Sequence, residues 1–298
     1  MTMHDDQVDV TTDIVASLIR EQFPRWSGKE IRLVSSTGTV HAIFRIGNEL
    51  SARFPLRLAD AAETLAVLEQ EAQASAELAQ VSRFPVPEPV ALGKPGAGYP
   101  MPWSVQTWLP GTIAFDADPS GSEAFAEDLA AFIAALRGAE TRGRVFNGEN
   151  RGGVLTHHDD WMAKCFQESE GLLDVPRLRR TWGHFRELPR TDADVMSHGD
   201  LIPGNVLVTG NRLGGVLDTG GFGPADPALD LVSAWHLLES GPRQVLRQTL
   251  RCDDLEWERG KAWAFEQAMG LVWYYLESNP TMSSMGRRTL DRILESMK

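Results

Sequence analysis

The stretch that decides the fold is SHGDLIPGNVLV, residues 197–208. It sets Asp200 and Asn205 five positions apart around a Pro-Gly pair, directly before a short apolar run. Pro and Gly favour a turn, whereas the Val-rich run after them favours a strand. Taken alone, an Asp or Asn in a turn is most simply explained by hydrogen bonds to the local backbone. A functional site would need further polar side chains that fold close to Asp200 and Asn205.

A β-hairpin is predicted directly after this turn. The runs VLV and GVL are separated by TGNRLG, which predicts a turn centred between Asn211 and Arg212. Folding the chain about that centre brings Asn205 beside Asp218 at the open end of the hairpin. Asp200 lies only five residues before Asn205, so we expect one carboxamide and two carboxylates to converge.

The predicted set of oxygen atoms is suited to Mg²⁺, which prefers a few carboxylates together with phosphate oxygens and water. Asp200 could instead stay off the metal and accept a proton from a hydroxyl group. His198 precedes Asp200 by two residues, and a lone histidine is more often structural. A dinuclear metallophosphoesterase could also use such a His-x-Asp sequence. It would need further His and Asp ligands in motif form, and the other histidines show no such spacing.

Composition narrows the classes of function. The 298 residues carry a net charge of −12, which argues against nucleic acid as a partner because nucleic-acid-binding proteins usually have a basic face. No apolar run reaches the ~18 residues that a membrane span needs, so we expect no membrane partner. The polar, acidic start shows no signal segment. The only cysteines, Cys165 and Cys252, are typical of free buried thiols in a reducing compartment, so a cytoplasmic location is expected.

The order of predicted elements favours an α+β protein. Residues 1–109 contain short β-type runs and a strong helical pattern at 60–80, and the Pro/Gly-rich stretch 84–102 is expected to be irregular. Residues 110–298 are mostly helical, with the hairpin region as a β-rich insert. We therefore expect two lobes: a small β-rich N-lobe over 1–109 and a larger, mainly α-helical C-lobe over 110–298.

The order HGDLIPGN followed by DTG resembles the kinase pattern H-x-D-x-x-x-x-N…D-x-G. Glycine after the histidine and PGN at the end make it similar to the aminoglycoside phosphotransferase family. Further stretches look like family landmarks in the same order and cover nearly the whole chain: STGTVHAIFRIGNELSARFP, FPVPEPVALGKP, PWSVQTWLPG, NRGG, GGVLD and GPADPALDL. The resemblance implies a protein-kinase-like fold, with a nucleotide-binding N-lobe and a C-lobe that holds the catalytic loop and the acceptor pocket.

The resemblance also implies roles by position. Asp200 would be the catalytic aspartate, which orients the acceptor hydroxyl and takes its proton, and His198 would brace the loop. Asn205 and Asp218 would hold Mg²⁺ on the nucleotide phosphates. Ile202 stands where the family usually has a second histidine. We expect this difference to change the packing of the loop and not the reaction.

On the nucleotide side, the resemblance implies a cation on the third strand and a glutamate on the next helix. Neither lysine of the N-lobe lies at that position, so Arg53 is the candidate cation, with Glu71 as its partner. An Arg–Glu pair can be bidentate, and Arg also binds phosphate well. Arg45 and Arg57 are alternative cations.

The loop STGTVHAIF would cover the phosphates. Thr37 and Gly38 could offer backbone and hydroxyl donors to them, although a plain hairpin turn explains the same residues. The predicted hinge, SVQTWLPG, would bind the base through backbone groups. Because such contacts leave no side-chain signature, ATP and GTP are both candidate donors.

The function that follows is a Mg²⁺-dependent kinase that moves the γ-phosphate of ATP or GTP to an alcohol. The acceptor could be an aminoglycoside or another antibiotic, a choline-like alcohol or a sugar. Carboxylates of the C-lobe that could line a pocket for a polycation are Asp159, Asp160, Glu168, Glu266 and Glu277. The alternative is a nucleotide-binding pseudokinase without turnover, motivated by Arg53 and Ile202. Asp226 and Asp230, near a helix start, are interpreted as acidic caps.

Overall fold

The computed structural model describes residues 8–34 and 40–297 of the chain. Within these residues the chain forms two compact units. The first takes in the chain up to Gln80, together with Pro85–Pro110 and Val216–Gly220. The second takes in Val81–Phe84, Gly111–Gly215 and the chain from Gly221 onward. The loop residues Thr37 and Gly38 lie outside the described residues.

An antiparallel sheet forms most of the first unit. Its elements are α1 (Thr12–Gln22), β1 (Ile31–Leu33), β2 (His41–Ile46), β3 (Leu50–Pro55), α2 (Ala61–Val81), β4 (Pro89–Gly93) and β5 (Trp103–Thr107). The five strands lie in the order β1-β2-β3-β5-β4. The rings of Phe54 and Trp103 stack in the apolar core at a centroid distance of 4.8 Å. Because neighbouring residues of a strand point to opposite faces, Phe54 in the core leaves Arg53 on the other face.

The expectation of an irregular stretch over 84–102 is wrong for its middle, because β4 forms there. β4 lies at the edge of the sheet and begins at Pro89. Proline is tolerated at the first residue of an edge strand, where its missing N–H leaves no ladder bond unmade. Further along, Gly93 packs so closely against Trp103 that an added Cβ would lie 2.1 Å from the indole ring. The Pro and Gly residues therefore serve the strand instead of excluding it.

Helices make up most of the second unit. They are α3 (Ala114–Ala117), α4 (Glu123–Arg137), α5 (Asp159–Glu168), α6 (Val175–Phe185), α7 (Val232–Leu237), α8 (Ser240–Leu250), α9 (Asp254–Tyr274) and α10 (Pro280–Ser296). The strands are β6 (Thr112–Ile113), β7 (Val195–Ser197), β8 (Val206–Thr209), β9 (Arg212–Val216) and β10 (Gly223–Ala225). α9 is buried along most of its length, including Trp257 and Trp263.

Helix α10 is absent from the sequence predictions. Its apolar residues recur on one buried side with a clear helical period, so the pattern was present in the sequence and was overlooked. Small residues serve close packing here, because a Cβ at Gly286 would lie 2.9 Å from the carbonyl oxygen of Ala268 in α9. The start signals were present: Asn279 caps the helix through Met282 N–H, and Pro280 stands in its first turn.

The predicted hairpin exists as neighbouring strands β8 and β9. Its two turn residues are Gly210 and Asn211, so the turn centre lies one residue before the predicted one. Gly210 has a φ of 62°. Two-residue hairpin turns favour glycine at such left-handed positions, which explains the shift. With a small antiparallel sheet in one unit and helices in the other, the expected α+β class is confirmed.

Among the described helices, none combines the length and the apolar character that a membrane crossing requires.

Candidate active site

The loop that carries Asp200 is held in place through its backbone N–H groups. The N–H groups of His198 and Gly199 donate to the two carboxylate oxygens of Asp230, each at 2.9 Å. His198 is buried, and its Nδ1 accepts a hydrogen bond from the N–H of Asp200 at 3.3 Å. Gly199 has a φ of 83°, a conformation that favours glycine. The interpretation of Asp230 as a helix cap is therefore wrong: it braces the loop.

Both carboxylate oxygens of Asp200 accept hydrogen bonds. Oδ1 accepts from Arg151 Nη2 at 3.0 Å and from Gln267 Nε2 at 2.8 Å. Oδ2 accepts from Asn205 Nδ2 at 3.0 Å, and the same amide nitrogen donates to the backbone oxygen of Asp200 at 3.0 Å. The Asp200 side chain is still 38% exposed. The carboxylate is thus fixed in orientation and accessible from outside.

Arg151 and Gln267 are functional candidates that the sequence analysis missed. Arg151 belongs to NRGG, which was noted only as a landmark. Gln267 follows Glu266 in KAWAFEQAMGLVWYY, and two polar residues in such an apolar helix are the signal that could have found it. The backbone behind Arg151 is packed tightly, since a Cβ at Gly152 would lie 2.8 Å from the Cβ of Ala225.

Behind Gln267 lies a buried chain of hydrogen bonds. Because the carboxylate of Asp200 takes the amide N–H, Oε1 of Gln267 accepts from His236 Nε2 at 3.0 Å. His236 Nδ1 then accepts from the hydroxyl of Thr289 at 2.9 Å. Burial lowers the pKa of His236 to about 3, so the ring is neutral at physiological pH. The chain fixes which end of the Gln267 amide faces Asp200.

Asp226 has a structural role, as the sequence analysis favoured, although it does more than cap a turn. It forms a buried ion pair with Arg259, and Trp263 Nε1 donates to it at 3.0 Å. It also accepts from the N–H of Ala228 at 2.9 Å. Arg259 in turn donates to the carbonyl oxygen of Gly153 at 3.2 Å. This network ties α9 to the NRGG segment that carries Arg151.

The first unit brings Arg53 together with two carboxylates. Arg53 Nη2 donates to Asp218 Oδ1 at 2.8 Å, whereas Nη1 lies 3.9 Å from Glu71 Oε2. The pair with Glu71 is therefore present without the bidentate geometry that Arg can adopt, and Asp218 is the closer partner. The Arg53 side chain is only 12% exposed. The guanidinium therefore lies between two carboxylates with little contact to water.

Backbone conformation and packing around Asp218 are special. Asp218 has a φ of 56°, a left-handed conformation that is uncommon for residues other than glycine and occurs disproportionately at functional sites. Two residues later, a Cβ at Gly220 would lie 2.7 Å from Cγ of Glu71. The glycine of the DTG sequence therefore lets α2 approach, which explains why that position is small.

Burial shifts the pKa values of two side chains beside Arg53. Burial lowers the pKa of His41 to about 4, and the Arg53 cation beside it acts in the same direction. Burial also raises the pKa of Glu71, with Arg53 opposing the shift. Arg53 and Glu71 line a cavity of about 250 Å³ whose walls come from α2, β4 and β5.

Two aspects of the predicted site stay predictions. One is the meeting of Asn205, of the second unit, with Asp218, of the first. The other is the contact of Thr37 and Gly38 with phosphate. Among the described residues, no three or more His, Cys, Asp or Glu side chains are grouped as a metal site.

Only one of the candidate acceptor carboxylates lines a cavity beside Asp200. Glu266 is buried in the wall of a cavity of about 570 Å³, which Arg151 and Gln267 also line. Asp159 instead forms an ion pair with Arg186 at 2.6 Å and accepts from Trp182. Glu168 and Glu277 are exposed. Ile202 packs against Leu271, Met282 and Met285 behind this region, which agrees with its expected packing role.

Residues 30–263 match the sequence model of one protein family, described as the phosphotransferase enzyme family. The match spans most of the chain. The chain belongs to the phosphotransferase enzyme family. The expected enzyme class, a small-molecule kinase, is confirmed at the level of this family.

Several phosphotransferases are among the solved structures to which this chain is similar. The GDP complex of wild-type aminoglycoside 2'-phosphotransferase-IIIa has a TM-score of 0.72 at 17% identity, over 96% of this chain and 100% of that one. The apoenzyme of macrolide 2'-phosphotransferase MphH from Brachybacterium faecium has a TM-score of 0.63 at 19% identity, over 93% and 98%. ADP-bound aminoglycoside phosphotransferase APH(2'')-Ib has a TM-score of 0.58 at 15% identity, over 95% and 99%. At such identities the likeness shows the fold alone. Among curated protein sequences, none matches this chain.

Proposed function

We propose that this phosphotransferase moves the γ-phosphate of ATP or GTP to a hydroxyl group of a small molecule, with Mg²⁺ on the nucleotide phosphates. The observation that carries the proposal is the carboxylate of Asp200, which is oriented by Arg151, Gln267 and Asn205 and still accessible. The family supports phosphoryl transfer. Similar structures that contain GDP and ADP support a nucleotide as the donor.

Asp200 acts on the acceptor. Its fixed carboxylate accepts a hydrogen bond from the acceptor hydroxyl and holds that oxygen for attack on the γ-phosphorus. A bond forms between the hydroxyl oxygen and phosphorus, the bond from phosphorus to the bridging oxygen breaks, and the nucleoside diphosphate leaves. The proton of the hydroxyl goes to Asp200. His198 and Asp230 keep the loop in the conformation that this orientation requires.

Asn205 and Asp218 would hold Mg²⁺, and their chemistry fits this ion. The amide nitrogen of Asn205 is used by Asp200, which leaves the carbonyl oxygen as the end that can bind a metal. Asp218 offers a carboxylate that is half exposed. Carboxylate and amide oxygens are ligands that Mg²⁺ accepts beside phosphate oxygens and water. When bound, the ion neutralises charge on the phosphates.

Arg53 would bind the nucleotide phosphates, with Glu71 and Asp218 orienting its guanidinium. Thr37 and Gly38 would add backbone and hydroxyl donors to the phosphates. The partner on the other side is a small alcohol. A cytoplasmic location agrees with the burial of the free thiols of Cys165 and Cys252.

The pseudokinase alternative gains no support from the residues that motivated it. Arg53 is paired with Asp218, and Ile202 packs in an apolar cluster, and neither contact points to a loss of turnover. The candidate base Asp200 accepts a hydrogen bond from the candidate metal ligand Asn205.

Transfer of label from [γ-³²P]ATP and [γ-³²P]GTP to a panel of alcohols tests the proposal. The panel holds aminoglycosides, macrolides, amino alcohols and sugars, and each reaction is run with Mg²⁺ and with EDTA. We expect label on one class of acceptor, dependent on Mg²⁺. Tight nucleotide binding with no labelled product from any class would contradict the proposal and favour the pseudokinase.

A further inference from the structure

The cavity beside Asp200 contains a buried carboxylate that its surroundings only half satisfy. Oε1 of Glu266 accepts a hydrogen bond from His158 Nδ1 at 2.9 Å. Oε2 of Glu266 is buried and has no hydrogen-bond partner among the described residues. A buried carboxylate oxygen left without a donor is costly, so such an atom in a native protein calls for an explanation. One such explanation is that a ligand bound in the cavity supplies the missing hydrogen-bond donor.

The position of Glu266 makes a ligand the natural donor. The cavity, of about 570 Å³, is lined by Glu266 and by Arg151 and Gln267, the two side chains that hold Asp200. A molecule that fills it is therefore next to the proposed catalytic carboxylate. Glu266, Gly270 and Tyr274 follow each other at intervals of four along α9, so they lie on one face of the helix, which forms a wall of the cavity.

Three large aromatic side chains also line the cavity. Trp161, Tyr274 and Tyr275 line the cavity, and Trp161 and Tyr274 are partly exposed, at 37% and 48%. Gly270 leaves room for the indole, since a Cβ there would lie 2.7 Å from Cζ2 of Trp161. Aromatic faces beside a carboxylate attract an ammonium group, because the ring quadrupole and the anion both favour a cation.

The charges around the cavity limit how many cations it accepts. Among the described residues that line it, Glu266 is the only carboxylate, and Arg151 is a permanent cation on the same cavity. The other carboxylate beside the cavity, Asp200, is already paired with Arg151 at 3.0 Å, so the further ammonium groups of a polycation gain no unpaired carboxylate from it. A ligand with one ammonium group and an apolar body satisfies Glu266 and uses the rings.

We propose that the acceptor of this phosphotransferase is an alcohol with a single basic amine and an apolar body, and that its ammonium group binds Glu266 Oε2 beside Trp161 and Tyr274. The inference rests on the proposed function for the identity of the acceptor, and on the cavity alone for the recognition of the amine. Aminoglycosides, as polycations, are excluded as the best ligands.

Isothermal titration calorimetry of the full chain, without nucleotide, tests the recognition of the amine directly. The probes are alcohols with one amine and an aromatic or macrocyclic body: phenylalaninol, tryptophanol and erythromycin. The first two are paired with their N-acetyl forms, which carry no charge, and kanamycin serves as the polycation. We expect at least one probe with a single amine to bind about tenfold or more tightly than its comparison compound. That compound is the N-acetyl form for phenylalaninol and tryptophanol, and kanamycin for erythromycin.

Glu266→Gln should abolish the preference for the amine, because the amide keeps the shape and removes the charge. Glu277→Gln, which removes the same charge at an exposed position just after α9, should keep it. Thermal unfolding checks that both variants fold. If Glu266→Gln does not fold, Tyr274→Leu replaces it, and the preference should then fall by about threefold or more.

Three outcomes overturn the inference: no single amine is preferred by the wild type, kanamycin binds most tightly, or the preference survives in Glu266→Gln. The result is separable from the proposed function. Amine-dependent binding without transfer from ATP or GTP contradicts the proposed function and leaves the inference standing. If Glu266→Gln transfers phosphate to alcohols at the wild-type rate, the inference is contradicted and the proposed function stands.

Discussion

At the scale of single residues, Arg53 is the proposed cation for the nucleotide phosphates. Replacing it with Ala removes the cation from Asp218 and Glu71, so we predict a rise in KM for the nucleotide of about tenfold or more with the fold retained. Steady-state kinetics with varied ATP or GTP measures this. Arg32→Ala, at an exposed arginine of β1, is the matched control. An unchanged nucleotide KM in Arg53→Ala would show that another cation binds the phosphates.

Arg151 contributes through Asp200, so we regard it as a positioning residue. We predict that Arg151→Gln lowers kcat by about tenfold or more and leaves the KM for the nucleotide unchanged, because Asp200 loses one of its three side-chain donors. Arg151→Lys should recover part of the lost kcat. A variant with the full wild-type kcat would mean that the orientation of Asp200 does not depend on this ion pair.

At the scale of elements, the short 3-10 helix of Leu229–Leu231 holds the catalytic loop through the carboxylate of Asp230. Asp230→Asn keeps the size but presents only one acceptor oxygen to two backbone N–H groups. We predict a loss of about 1–3 kcal/mol in the free energy of unfolding and a lower kcat. Urea denaturation and initial rates measure the two effects. Asp291→Asn, exposed on α10, is the control, and equal stability of the two variants would contradict the bracing role.

How much of the site the sequence predicts depends on how far apart in the chain its members lie. Asp200 and Asn205 belong to one turn, and Arg53 and Glu71 follow from their elements, so local pattern and resemblance find them. Arg151 and Gln267 reach Asp200 across 49 and 67 residues. No local periodicity encodes such contacts. Strand β4 was missed for a related reason, because its Pro and Gly residues suit an edge strand and a close contact with Trp103 but favour a turn in the local pattern.

At the scale of the whole molecule, a buried neutral histidine makes stability depend on pH. The pKa of His236 is about 3 in the folded chain, against an ordinary value near 6.5. The unfolded chain therefore takes up a proton at His236 between these values and the folded chain does not. Its contribution is fully present above about pH 6.5 and is lost as the pH falls toward 3, with a slope of up to about 1.4 kcal/mol per pH unit.

We predict that the free energy of unfolding of His236→Gln falls less steeply below pH 6.5 than that of the wild type. Denaturant unfolding at a series of pH values measures the two slopes. The absolute stability of the variant is lower because the bonds to Gln267 and Thr289 change, so only the slope is compared. His184→Gln, at an exposed histidine of α6, should keep the wild-type slope. Parallel curves for all three proteins would contradict the prediction.

The central claim is that Asp200 orients and deprotonates the acceptor alcohol. The most direct test compares the wild type with Asp200→Ala in single-turnover transfer from ATP or GTP to the acceptor found in the panel, with nucleotide affinity measured in parallel. We predict that transfer by Asp200→Ala is about 10²- to 10⁴-fold slower than by the wild type while the nucleotide still binds. Transfer at the wild-type rate in Asp200→Ala would contradict this prediction, because the reaction would then proceed without the Asp200 carboxylate.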